Sequence, residues 1–127
     1  MTDFVLDASA LVALIRKETG WAEVERSIAN SLMSAVNFSE TIYILRRREM
    51  PLEAIRAALT PLVSTPAIFD AELAYITASV VESTRGQGIS FADCACLALA
   101  QLTEATAVTA ERRWDQVALD IKIKRIR

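Results

Sequence analysis

Four acidic residues stand at the places where an α/β protein usually does chemistry. Asp7 follows the apolar run Asp-Phe-Val-Leu, Glu40 closes Asn-Phe-Ser-Glu, Asp93 closes Ser-Phe-Ala-Asp, and Glu111 closes Thr-Ala-Glu. Parallel sheets place ligands at the carboxyl ends of their strands, and right-handed crossovers bring such junctions to one edge. Carboxylates gathered there repel one another, and without a cation some must take up protons. A divalent ion resolves the repulsion. Hard oxygen donors favour Mg2+ or Mn2+ over Zn2+. Such ions serve phosphoryl chemistry: one lowers the pKa of a water and orients it, and two, about 3.5–4 Å apart, stabilise both attacking and leaving oxygens.

The residues that are missing narrow the chemistry further. The chain has no histidine. That excludes histidine acid–base catalysis, the Ser-His-Asp and Cys-His nucleophile systems, and His-ligated zinc. Cys94 and Cys96 lie two apart in an apolar helical stretch and point in different directions. They read as small core-filling residues and not as a disulfide or a complete metal site.

Each acid also has a plain structural reading. Asp7 suits a helix N-cap, Asn37 with Glu40 and Ser90 with Asp93 have capping-box spacing, and Glu111 suits the positive end of a helix dipole. Capping explains acids near helix starts. It does not explain why the clearest ones follow strands expected to share one sheet edge.

The elements that must position these acids alternate along the chain. Residues 3–6 read as a buried strand, 9–17 and 21–29 as helices, 32–36 as a strand and 37–48 as a helix. A helix starts at Pro51, a short strand spans 66–69, and Asp70 caps a helix to about Thr84. Ser90 opens a strongly apolar helix to about Leu102; a strand at 106–109, a short helix at 112–117 and an alternating strand at 119–126 follow. This is an α/β pattern with a mostly parallel sheet. With 127 residues, 53% hydrophobic, and no repeat or linker, the expectation is one domain over 1–127.

The net charge of −2 does not advertise a nucleic-acid binder, but an enzyme that gathers carboxylates around cations looks acidic until the metals are counted. No apolar run approaches the roughly 18 residues of a membrane span. The start, Met-Thr-Asp-Phe, lacks a basic signal region, so a cytoplasmic address is expected.

Four stretches together resemble the PIN domains, and most closely the VapC toxins of bacterial VapBC toxin–antitoxin modules. They are Leu-Asp-Ala-Ser-Ala-Leu-Val-Ala-Leu with Asp7, Ser-Ala-Val-Asn-Phe-Ser-Glu with Glu40, Ile-Ser-Phe-Ala-Asp-Cys-Ala-Cys-Leu-Ala-Leu-Ala with Asp93, and Val-Thr-Ala-Glu-Arg-Arg-Trp with Glu111. The resemblance implies a three-layer α/β/α sandwich on a mostly parallel sheet. It implies Mg2+- or Mn2+-dependent hydrolysis of RNA phosphodiesters, a homodimer, and a cognate VapB-type antitoxin that blocks the site. Asp7, Glu40 and Asp93 match the family's acidic triad, Ser9 a frequent hydroxyl after the first acid, and Thr109 the hydroxyl of the Thr-Ala-Asp motif. Glu111 stands where that motif has Asp; the carboxylate survives with one methylene more, and Asp115 one turn on is a candidate to share its work. Arg112 and Arg113 beside it are placed to meet RNA phosphate.

Two other readings compete. One is a non-catalytic PIN-like module that only binds a partner. The other is a phosphoacceptor receiver-type signalling domain, which shares the length and the acidic pocket. A receiver needs paired acids after the first strand and a Lys after a late one; here Ala8 and Ser9 follow Asp7, and the late junction is Thr109-Ala110-Glu111. A haloacid-dehalogenase-type phosphatase needs a second Asp where Ser9 stands.

Overall fold

A computed structural model describes residues 2–127. Its centre is a sheet of four parallel strands: β1 (Phe4–Leu6), β2 (Ser31–Leu32), β3 (Thr106–Thr109) and β4 (Ile123–Arg125), in the order β2-β1-β3-β4. Six helices surround it: α1 (Ala8–Arg16), α2 (Trp21–Ser27), α3 (Ala35–Arg47), α4 (Leu52–Leu59), α5 (Ala71–Ser83) and α6 (Phe91–Thr103). Short 3-10 turns lie at Ile28–Asn30 and Arg112–Gln116.

Alternation along the two central strands sorts the core into two layers. Val5 and Ala107 face a cluster with Leu73, Val80, Leu97 and Trp114, drawn from α5, α6 and the second 3-10 turn. Leu6 and Val108 face the opposite cluster, with Leu11, Val24, Leu45, Ile55 and Leu59 from α1 to α4. Side chains of successive strand residues point to opposite faces, so a sheet buried on both sides must be apolar at every position. The run Phe-Val-Leu meets that demand. The result is a three-layer α/β/α sandwich, the arrangement that the resemblance implies. No helix among the described residues is long and apolar enough to cross a membrane.

Three expected strands are shorter than their apolar runs. Within the four-stranded sheet the 32–36 run pairs only through Leu32, because Ser34 takes an extended backbone and accepts the Val36 N–H at 3.2 Å, which starts α3 at Ala35. Ser34, not Asn37, therefore caps this helix, and the Asn37–Glu40 capping box does not form. The 66–69 stretch contributes a single bridge, Ala67 to Ser34, next to a proline with no N–H to offer. In the 119–126 run only Ile123–Arg125 is strand. Its neighbour β3 begins at Thr106, which leaves residues 119–121 no backbone to pair with.

Candidate active site

Asp7 is the first residue past β1 and the N-cap of α1, only 2% exposed. Its Oδ1 accepts the Ala10 N–H at 3.0 Å and the Ser9 hydroxyl at 2.8 Å. Its Oδ2 accepts the Thr109 hydroxyl at 2.7 Å. The capping reading is thus realised, in a side chain that is buried where β1 and β3 end. Burial pushes the carboxyl up to about 7, against the pull of the Thr109, Ala10 and Ser9 hydrogen bonds, and the charge of Asp93 adds to the rise.

The partner residues come from the strand beside β1. Leu6 pairs with Val108, and the Asp7 N–H continues the ladder to the Val108 carbonyl at 3.1 Å, so Thr109 arrives opposite Asp7. Thr109 Oγ1 also accepts the Glu111 N–H at 3.0 Å, and Ser9 Oγ accepts the Ala110 N–H at 2.9 Å. The two hydroxyls lie 3.3 Å apart. A closed set of hydrogen bonds therefore holds the ends of β1 and β3 around the Asp7 carboxylate.

Asp93 sits in the first turn of α6 inside a complete capping box: its Oδ2 accepts the Ser90 N–H at 3.0 Å and the Ser90 hydroxyl accepts the Asp93 N–H at 3.1 Å. Glu40, half-buried in α3, has its carboxyl raised by burial first and by the charge of Asp93 next; Asn37 opposes the rise and Glu111 adds to it. Asp93 thus acts on both Asp7 and Glu40, and Glu111 acts on Glu40, so the four acids of the sequence pattern share one electrostatic field. Beneath them Cys96 is fully buried, and its thiol is pushed well up by burial and then by Asp7, Asp93 and Glu40. Both cysteines are buried and free, as core-filling residues should be.

The donor set suits a hard divalent cation. It is all carboxylate oxygen, and no Lys or Arg forms an ion pair with Asp7, Glu40, Asp93 or Glu111 among the described residues. A buried carboxyl near pH 7 in its titration gains from a cation that favours its charged form. The spacing is looser than a closed site: no three acids among the described residues converge closely enough to hold one ion as they stand. Glu40 and the exposed Glu111 have the rotatable stems to close that distance.

The remaining candidates divide. Asp115 turns away, pairing with Arg125 of β4 at 3.5 Å. Arg113 donates to the Gly88 carbonyl at 3.3 Å across the loop that leads to α6, while Arg112 is exposed. Trp114 is core, at 1% exposure. Arg48 reaches Glu18 at 2.7 Å, and Arg46 and Arg47 fold back on Met50 and Tyr43, so the three arginines finish α3. Asn37 has the spacing of a helix start in the sequence, but it is buried inside the first turn of α3, and its amide donates to the Ala92 carbonyl at 2.9 Å. A sequence shows no signal for that contact, because the partner is a backbone carbonyl 55 positions away.

Comparison with known proteins agrees with this fold. The PIN domain family matches residues 4–119. No curated protein sequence matches the chain. Among solved structures, DNA-bound VapBC from Salmonella typhimurium contains a chain that aligns with a TM-score of 0.75 at 19% identity, covering 100% of both chains. VapBC2 from Rickettsia felis, bound to a DNA fragment from its promoter, aligns with a TM-score of 0.74 at 16% identity over 98% of each. VapBC-1 from nontypeable Haemophilus influenzae aligns at 0.71 and 18%, again over 98% of each. At these identities the likeness is one of fold.

Proposed function

The chain belongs to the PIN domain family, and from that premise we propose that it is a metal-dependent endoribonuclease, the toxin of a bacterial toxin–antitoxin pair. The observation that carries the reading is the buried Asp7, clamped by Ser9, Ala10 and Thr109 within the field of Asp93, with no Lys or Arg paired to it among the described residues. One nuclease domain over residues 1–127 and a cytoplasmic address complete the proposal.

Asp7 and Asp93 are the residues to hold the main Mg2+ or Mn2+, with Glu40 completing the site directly or through a water and Glu111 serving a second, weaker position. A bound divalent ion supplies Lewis acidity and a water of lowered pKa. The chain's own groups do the rest. Ser9 and Thr109 keep Asp7 in one rotamer. Glu40, with its carboxyl raised by burial, is a stronger base than a surface glutamate and suits the proton that leaves an attacking water. Arg112 and Arg113, just past Glu111, offer guanidinium groups to the phosphate.

The proposed partners follow from exposed surface. Ile68, Tyr75 and Phe91 are large apolar side chains exposed to solvent, as surface that a homodimer or an antitoxin covers would be. The antitoxin is expected to place an Arg among the carboxylates, since its planar fork matches them. RNA as the substrate rests on the resemblance to the VapC toxins.

The test is incubation of a mixed RNA pool with the protein in Mg2+, Mn2+ or chelator, followed by mapping of the cut ends. Cleavage that depends on metal and falls by orders of magnitude in Asp7→Asn supports the reading. Cleavage that persists in chelator sinks it. A protein that binds RNA or a partner yet cuts nothing in any metal is the non-catalytic module.

A further inference from the structure

Asn37 belongs to none of the four acidic positions, yet it is built into the contact between two of the elements that carry them. It lies in the first turn of α3, fully buried, and Glu40 follows it by one helical turn. Its Nδ2 donates to the carbonyl of Ala92 at 2.9 Å. Ala92 is in the first turn of α6 and directly precedes Asp93. Asn37 also favours the charged form of the Glu40 carboxyl one turn on. The other polar atom, Oδ1, is buried with no hydrogen-bond partner among the described residues.

Packing alone does not explain an amide here. A buried acceptor left without a partner costs stability, and an apolar side chain of similar volume would fill the space without that cost. An amide retained on such terms points to a use for its donors. One bridges to the backbone beside Asp93, and the residue itself stands one helical turn before Glu40 on α3.

We propose that Asn37 is a positioning residue that ties the first turn of α3 to the first turn of α6 and so sets Glu40 against Asp93 for binding a divalent cation. The inference rests on the nuclease reading above, and it adds a residue that holds no metal and touches no substrate. Outer partners that orient metal-binding side chains typically change affinity by about 10- to 100-fold when removed. Asn37 acts through Glu40, so its effect should vanish when Glu40 can no longer serve.

The experiment is calorimetric titration of Mn2+ into the RNA-free protein for wild type, Asn37→Leu, Glu40→Gln and the double variant, with melting temperatures in chelator. Asn37→Leu should weaken Mn2+ binding by about 10- to 100-fold while its melting temperature stays level or rises. In the Glu40→Gln background the same substitution should change Mn2+ affinity less than about twofold, the signature of two residues acting as one unit. Asn37→Ala, which leaves the surrounding helices unstrained, takes the place of Asn37→Leu should the larger side chain block folding. Unchanged affinity in a folded Asn37 variant overturns the proposal, as does an equal loss in both backgrounds. A wild-type protein that neither binds Mn2+ nor cuts RNA overturns the nuclease reading first, and the two failures are told apart by the wild-type titration alone.

Discussion

Thr109 donates its hydroxyl to Asp7 Oδ2 at 2.7 Å and accepts the Glu111 N–H at 3.0 Å on the same oxygen. One side chain at the end of β3 therefore orients the buried acid at the end of β1 and the backbone of the acid that follows it. The contact spans 102 positions in the chain and exists only because β1 and β3 are neighbours in register. In a low-dielectric site, a hydrogen bond to a charged oxygen is the stronger kind, and it favours the ionised form of Asp7 that a cation needs.

Thr109→Val tests that relationship, because it keeps the shape and removes the hydroxyl. Asp7 Oδ2 and the Glu111 N–H both lose a buried partner. The expected destabilisation is about 1–3 kcal/mol in urea unfolding. RNA cleavage should fall at least about tenfold, in line with the loss of a residue that orients a metal ligand. Thr109→Ser keeps the hydroxyl and should recover most of both. A Ser variant no better than the Val variant would show that the methyl group matters and the hydroxyl does not.

Asp7 should also leave a mark on stability against pH. Its carboxyl rises from 3.8 to about 7 on folding, with burial as the largest cause. Between those values the folded chain holds a proton that the unfolded chain has released. The contribution is therefore fully present below about pH 4 and is lost as pH rises through about 7. The full rise corresponds to no more than roughly 4 kcal/mol at about 1.4 kcal/mol per pK unit. Asp7→Asn carries no charge, and its amide can donate to Thr109 while its oxygen still accepts from Ala10. In chelator, that variant should melt higher than wild type at pH 8 and gain much less at pH 5. Mn2+ at pH 8 should raise the melting point of wild type but not of the variant. Equal differences at the two pH values would show that Asp7 remains charged throughout.

Asp7 and Asp93 were legible in the sequence because each stands at a boundary that local pattern can locate. A short apolar run followed by Asp and a helical period marks Asp7, and Ser90 three before Asp93 marks the start of α6. Strand lengths were not legible, since they depend on the neighbour: residues 119–121 alternate like a strand but lie beyond the first residue of β3. Asn37 depends on its neighbours in the same way. Its spacing to Glu40 mimics a capping box, while Ser34, three residues earlier, takes the cap and frees Asn37 for a tertiary contact. Asp115 lies one turn from Glu111 in sequence, but the parallel pairing of β4 beside β3 brings Arg125 within its reach instead.

Glu111 separates a metal-site role from a helix-start role. It precedes the 3-10 turn at Arg112–Gln116, yet its side chain makes no capping hydrogen bond, and it is exposed. A capping role would thus add little beyond a dipole effect of roughly 0.3–1 kcal/mol. Near-octahedral Mg2+ holds its ligands at about 2.0–2.1 Å, and the extra methylene of Glu fits that demand less well than Asp does. Glu111→Ala should lower cleavage less than Asp7→Asn does, with the melting temperature almost unmoved. Glu111→Asp should keep or raise the Mg2+-supported rate and lower the ratio of Mn2+- to Mg2+-supported rates. Rates and ratios identical in all three proteins would leave Glu111 outside the site.

Gly20 shows how far from the carboxylates the site's support extends. Its φ is +94°, and a Cβ there would stand 2.4 Å from the Ile126 carbonyl oxygen. The chain must pass this close because Ile126 ends the run of β4, and its N–H binds the Thr109 carbonyl at 2.9 Å. Thr109 in turn holds Asp7. Gly20→Ala adds a left-handed strain of about 1–2 kcal/mol to a clash with rigid backbone. The chain end at Ile126 has to move, and the Thr109 carbonyl loses its partner. Expected are a melting temperature lower by roughly 5 °C or more, at about 3–5 °C per kcal/mol for a domain of this size, and weaker Mn2+ binding in the protein that remains folded at 20 °C. Gly86 supplies the control: it also has positive φ, at +82°, but nothing lies within 4 Å of a Cβ there. Gly86→Ala should cost only the backbone strain and leave Mn2+ affinity unchanged. Equal effects of the two substitutions on Mn2+ affinity would break the proposed chain from Gly20 through Ile126 and Thr109 to Asp7.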